Sequence, residues 1–239
     1  MNRAEQFLEL YKQLEELLRL RYDTGSPSSR RENAIHRFIS SQEGRRFRDE
    51  LDLCREVRNL LSHRAQFEGE SPVMPAESLI TFLSGLVAYL ADPPNALCMA
   101  TKTEELLLAT KESKLDALLA LMEKKGYSHV PVPEGKRLYG VFSTGVFGAY
   151  FREHPSLPLG ADAKMATLYP YLPITRHACE QYAFVSADTA YETVRQLFAS
   201  KGPRKKRMAA VFVTKNGGKD ERLLGMITPW DVLKFEPDF

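Results

Sequence analysis

From Ala4 to Tyr22 the apolar positions Phe7, Leu8, Tyr11, Leu14, Leu17 and Leu18 recur at three- and four-residue steps, with Glu5, Glu9, Lys12 and Arg19 between them. That period predicts an amphipathic helix with one buried face. The run YDTGSPSS, rich in turn formers, ends it. A second helix is expected over about 30–40, with Ile35, Phe38 and Ile39 inward. A third runs from near Glu43 to His63. In it Leu53, Val57, Leu60 and Leu61, with Cys54 beside them, form the apolar stripe, and Arg55, Arg58, Asn59 and Ser62 take the other side. A fourth spans about 75–90. Residues 1–95 therefore read as a small all-α bundle with short connections.

At ADPPNA two prolines end the fourth helix and the pattern changes. Leu106–Ala109 reads as a short apolar strand, 114–125 as a helix closed by Gly126, and 129–132 and 138–142 as strands joined around PEGK. A helix follows Ser143. The same order recurs: a strand at 183–185, a helix over 189–201 closed by Gly202, strands at 208–213 and 223–227, then a helix after Thr228. Lys125-Gly126 matches Lys201-Gly202, and GVFSTGVF at 140–147 matches GMITPWDV at 225–232. Two copies of one β-α-β-β-α unit should bury their sheets against each other. The Pro-rich stretch 153–179 connects them as a loop with about one turn of helix. The fold class is thus α+β in two domains, 1–95 and 100–237. The repeats fall at about 104–152 and 180–237, with 153–179 as linker.

Composition narrows the partners. Hydrophobic residues make up 44% and charged residues 27%, the proportions of a globular protein with a real core. A net charge of +2 leaves any nucleic-acid argument to local patches. Cys54, Cys98 and Cys179 are far apart and lack metal-ligand spacing, so reduced thiols and a cytoplasmic location are expected, with no metal. The start, MNRAEQFLEL, has no signal-peptide core, and the apolar stretch near 79–91 is too short to span a bilayer, so no membrane is expected.

Each repeat ends in glycine, two apolar residues, then Ser143 or Thr228, and in the second copy Asp231 follows three residues later. A hydroxyl there caps the next helix, with Asp231 in its first turn. The duplicated order and this spacing resemble a pair of CBS domains over about residues 100–237. That resemblance implies an adenine nucleotide (AMP, ADP, ATP or a relative) as regulatory ligand. Ser or Thr and Asp would hold its phosphate side and ribose hydroxyls, and adenine would lie between the repeats. Thr228 and Asp231 match the pattern. The first copy keeps Ser143 but has Val146 where the acid should be, so one nucleotide per chain is expected, bound mainly by the second repeat. Phosphates need cations or free N–H groups. The tetrad Arg204, Lys205, Lys206 and Arg207 stands where the family often places its basic residues, and His129 occupies the comparable place in the first copy. Arg207 and His129 are the assigned residues. A solvated basic loop, or one that touches RNA, remains an alternative for the tetrad.

Arg58-Asn59-Leu60-Leu61-Ser62-His63 closes the third helix. Arginine, a polar neighbour, and histidine a few residues later, in a short all-α domain, resemble the HEPN family. This implies a dimer in which two motifs meet and metal-independent cleavage of RNA. In that chemistry the 2′-hydroxyl attacks phosphorus, His63 moves the proton, Arg58 stabilises the phosphate charge and Asn59 orients them. Arg58 and His63 are about 140° apart around an ideal helix, so a complete cleft needs the second subunit. An ordinary surface arginine and a histidine at a helix C-terminus give the plainer account. Arg45, Arg46 and Arg48, with Arg30 and Arg31, offer charges that could track a phosphate backbone. The functional expectation is a nucleotide-regulated RNA endonuclease acting as a homodimer through Arg58 and His63. The alternative is a non-catalytic adenine-nucleotide sensor whose helical domain dimerises or docks a partner.

Overall fold

The computed structural model describes residues 2–22, 34–63, 73–156, 158–160, 162–200, 202 and 206–235, except for the side chain of His63. Arg30, Arg31, Arg204 and Lys205 lie outside the described residues. The described residues divide into two compact units, one ending at Pro93 and one beginning at Pro94.

The first unit is helical. Its helices are α1 (Arg3–Tyr22), α2 (Ala34–Ser40), a 3₁₀ turn (Gly44–Phe47), α3 (Arg48–His63) and α4 (Glu77–Ala91). α1 packs against the other three. Its buried Phe7, Tyr11, Leu14 and Leu18 meet the buried faces made by Ile35, Phe38 and Ile39 of α2 and Ile80, Leu83 and Leu86 of α4. Burying side chains of this size contributes about 1.5–3 kcal/mol each.

α3 is turned differently from the sequence expectation. Leu51 and Cys54 are fully buried, whereas Leu53 is 48% exposed. Positions 51, 54, 58 and 61 share one face at helical spacing. Arg58 therefore lies on the side of the core and is half-buried. The stripe through Leu53 could not be told from the one through Leu51, because both carry leucine at the right period.

The second unit is α+β. It comprises α5 (Ala96–Met99), β1 (Thr101–Lys102), α6 (Leu115–Lys125), β2 (His129–Glu134), β3 (Arg137–Ser143), α7 (Thr144–Glu153) and α8 (Met165–Leu168). Then follow β4 (Glu180–Ser186), α9 (Tyr191–Ala199), β5 (Arg207–Thr214), β6 (Gly225–Ile227) and α10 (Pro229–Lys234). β2 and β3 form an antiparallel hairpin, and the other sheet has the order β1-β6-β5-β4 with β4 and β5 parallel.

The expected strand at Leu106–Ala109 is absent. Its neighbour would be β2, which carries Pro131 and Pro133 and so lacks two ladder donors. One bond remains, from Ala109 N to Pro131 O at 3.1 Å. β5, the corresponding strand of the second copy, has no proline, and there β4 pairs along its whole length.

The segment before each repeat lies against the last strand of the other. Thr101 pairs with Met226, and Val141 N donates to Leu172 O at 2.9 Å. Glycine is required at both crossings. A Cβ on Gly140 would come within 2.3 Å of Leu172 O, and one on Gly225 within 2.7 Å of Thr101 O. Val141, Ala210, Phe212, Leu223 and Met226 form a core shared by the two copies. The linker is more ordered than a loop. It contains α8 and two 3₁₀ turns, Tyr169–Tyr171 and Ile174–Arg176.

Candidate functional site

The second unit holds a cavity of about 640 Å³, lined by residues that include Thr228, Asp231, Arg207, His129 and Trp230. Thr228 is the N-cap of α10, Pro229 its first residue, and Asp231 sits three residues on. Pro229 suits that place because the first helical N–H has no partner in any case. Asp231 Oδ2 accepts from Thr228 N at 2.9 Å and from Thr228 Oγ1 at 2.7 Å. Asp231 thus fixes the helix start with one oxygen and pairs the other with Lys234 Nζ at 3.6 Å. Trp230 is 74% exposed at the same mouth. Arg207, also exposed, opens β5 and adds a cation.

The first copy is arranged otherwise. Ser143 is the N-cap of α7, but its side chain makes no cap hydrogen bond. It donates instead to Glu180 Oε2 at 2.9 Å. The same oxygen accepts from Tyr182 Oη at 2.8 Å and faces His177 Nδ1 at 2.8 Å. Glu180 Oε1 faces His129 Nε2 at 3.0 Å. Behind this group, His177 Nε2 points to Leu172 O at 3.2 Å, and Lys206 donates to the His177 carbonyl. Burial alone would push the Glu180 carboxyl up. The bonds from His129, His177, Tyr182 and Ser143 outweigh it and hold the group far below the ordinary carboxylate value. The Tyr182 phenol is pushed up, first by burial and then by the Glu180 charge.

Glu180, His177 and Tyr182 escaped the sequence reading. A glutamate at the start of a strand, with a histidine three residues before it and a tyrosine two after, is an ordinary sequence. Only the way the linker crosses back to β3 brings this local group to Ser143 and His129. His129 and Glu180 line the cavity that also holds Thr228 and Asp231, so four of the five nucleotide-binding candidates meet at one space. Ser143 stands behind Glu180 and is 1% exposed.

In the helical unit Arg58 Nη1 contacts Asn59 Oδ1 at 3.4 Å, and the Arg58 guanidinium lies 6.0 Å from the centre of the Tyr11 ring. Burial, then Glu15, pushes the Tyr11 phenol up to about 12, with Arg58 opposing the rise. The neighbouring Cys54 thiol is also pushed up to about 12 by burial and is therefore unreactive. His63 is the last residue of α3, and its side chain is outside the described residues. Among the described residues no cluster of His, Cys, Asp and Glu could hold a metal ion, and no helix is long and apolar enough to cross a membrane.

Residues 177–238 match the family model for the CBS domain. The matched range holds Glu180, Arg207, Thr228 and Asp231, and the first copy lies before it. No curated protein matches the chain. Several solved structures resemble it. Hypoxic Response Protein I with two coordinated zinc ions shares 14% identity over 60% of this chain and 100% of its own, with a TM-score of 0.41. CBSX2 in complex with AMP shares 19% over 59% and 93%, with a TM-score of 0.41. A putative acetoin utilization protein (AcuB) from Vibrio cholerae shares 20% over 59% and 88%, with a TM-score of 0.41.

Proposed function

We propose that this protein is a regulatory sensor that binds one adenine nucleotide per chain in the CBS domain of its second repeat. The cavity that joins Thr228 and Asp231 to Arg207 and Trp230 carries this reading. Its volume falls within the range of small-molecule sites. The residues fit the parts of a nucleotide. Asp231 Oδ1, which faces the exposed Lys234 side chain, suits a ribose hydroxyl, Arg207 suits a phosphate, and the exposed indole of Trp230 offers an apolar plane for a base. CBSX2 has been crystallised with AMP, which makes AMP the first ligand to test. Calorimetric titration of the full chain with AMP, ADP and ATP should give one site. Asp231→Ala should weaken binding at least about tenfold, a loss of about 1.4 kcal/mol. Unchanged affinity in that variant would remove Asp231 from the site.

The second reading adds an output, cleavage of RNA by a homodimer through Arg58, Asn59 and His63. The contact between Arg58 and Asn59 favours it, since it holds a guanidinium beside a polar amide one turn before the end of α3. In this reading the nucleotide shifts the packing of two subunits and so opens or closes the cleft, which requires different affinities for the two arrangements. RNA incubated with dimeric protein at neutral pH should be cut to products with a cyclic phosphate, and DNA should be spared. Intact RNA with the wild type, with and without AMP or ATP, leaves the helical unit as a dimerising or docking element. Cleavage that persists in a folded His63→Ala variant would rule out the histidine.

A further inference from the structure

The two copies differ at the start of their last helices. In the second, the carboxylate that accepts the N-cap hydroxyl is Asp231, within α10 itself. In the first, the corresponding position is Val146, which is 1% exposed and part of the apolar core. The first copy nevertheless has a carboxylate on its N-cap hydroxyl. It belongs to Glu180, thirty-seven residues away in the chain.

We propose that Glu180 is a tethered anion occupying an oxyanion site of the first repeat, which would otherwise bind a phosphate group. This rests on the reading of the repeats as phosphate-binding units. The donors form a built pocket. Ser143 Oγ, Tyr182 Oη and His177 Nδ1 surround one carboxylate oxygen at 2.8–2.9 Å, and His129 Nε2 reaches the other at 3.0 Å. Ser143 and His177 are both more than nine-tenths buried. The pocket lies against the first turn of α7, since a Cβ on Gly145 would come 3.9 Å from Glu180 Oε2. Backbone N–H groups at a helix start favour an anion, and the cap side chain that would satisfy one of them is turned to the carboxylate instead. Four side-chain donors and a helix start are the surroundings a phosphoryl group needs. Glu180 fills them with two oxygens on a flexible stem, and its side chain is 25% exposed to the cavity side. The first repeat is thus masked, and one nucleotide per chain follows from Glu180 as well as from Val146.

The test uses the full chain, with folding checked by circular dichroism. Wild type, Glu180→Ala, Glu180→Gln and Glu180→Ala/Ser143→Ala are titrated with inorganic phosphate and, separately, with AMP. Glu180→Ala should bind one more phosphate per chain than wild type, and the double variant should lose it. If Glu180→Ala does not fold, Glu180→Gln takes its place, because the neutral amide removes the resident negative charge from the pocket. Phosphate should then enter at a lower concentration than in wild type. Unchanged phosphate stoichiometry in whichever variant folds overturns the proposal. An extra phosphate that survives removal of Ser143 also overturns it, since that anion sits elsewhere. The AMP arm keeps the two readings apart. Wild type that binds no AMP sinks the nucleotide reading, while the gain of phosphate in Glu180→Ala still reveals the masked site.

Discussion

Ser143 and Thr228 close the same strand-to-helix turn in two copies of one unit, yet they find their carboxylates in opposite ways. Thr228 bonds to an acid three residues ahead, so the turn is complete within four residues. Ser143 bonds to an acid delivered by β4 after the chain has crossed the linker. The local arrangement uses one carboxylate oxygen for the cap and leaves the other to the exposed Lys234. The long-range one engages both and draws in two histidines and a tyrosine. One duplicated motif therefore yields two carboxylate arrangements, and the difference lies in packing rather than in the cap hydroxyl.

The strongest way to break this comparison is to restore the local acid. Val146→Asp places a carboxylate in the buried cluster of the first repeat that also holds Leu115 and Phe142. Burying an unpaired acid there should cost about 3 kcal/mol or more. Denaturant unfolding followed by circular dichroism reads it. A cost below about 1 kcal/mol would mean that the first repeat can accept a local acid, and the packing account of the difference fails.

Next comes Glu180→Ala. It leaves His177 and Tyr182 facing an emptied position, and the loss of one partner from a buried polar group costs about 1–3 kcal/mol. Urea midpoints of the variant and the wild type measure it. A midpoint that does not move would show that the network rearranges around water without penalty. In the second repeat, Thr228→Ala removes a single hydroxyl and should cost about 1 kcal/mol, the usual value for a lost helix N-cap. The same unfolding experiment compares the two copies directly. A greater loss from Thr228→Ala than from Glu180→Ala would reverse the ranking of local and long-range caps.

Much of the architecture was legible in the sequence because it rests on short-range pattern. The helix starts and stops in α1 and α4, the glycine after α6 and the matching strand ends all follow from spacing within a few residues. Where the reading failed, a neighbour decided the outcome. The strand at Leu106–Ala109 was lost to the prolines of β2, and the buried face of α3 shifted from Leu53 to Leu51 because two leucine stripes were equally periodic. The site was half legible on the same principle. Thr228 and Asp231 speak through their spacing, and Arg207 and His129 through their place before strands that the repeat aligned. Glu180, His177 and Tyr182 are neighbours in sequence, but their meeting with Ser143 and His129 depends on where Leu172 crosses β3.

The smallest effect expected is also the one that isolates the charge of Glu180. Its carboxyl is held below the ordinary value in the folded protein, chiefly against a burial that would raise it. A carboxylate of this kind stabilises the fold fully above its unfolded pKa, about 4.3, and the contribution is lost as pH falls through the folded value. Wild type should therefore exceed Glu180→Gln in stability at pH 7, and the gap should narrow as the solution is acidified below about 4. The groups facing the carboxylate are His129, His177, Tyr182 and Ser143, with Lys206 bonded to the backbone of His177. The difference between wild type and Glu180→Gln should accordingly hold through neutral pH and shrink in acid below about 4. Unfolding free energies of the two proteins from pH 8 to pH 3 measure it. A difference that stays constant from pH 8 to pH 3 would mean that Glu180 acts by shape and hydrogen bonding alone, and the view of it as a resident anion would lose its electrostatic half.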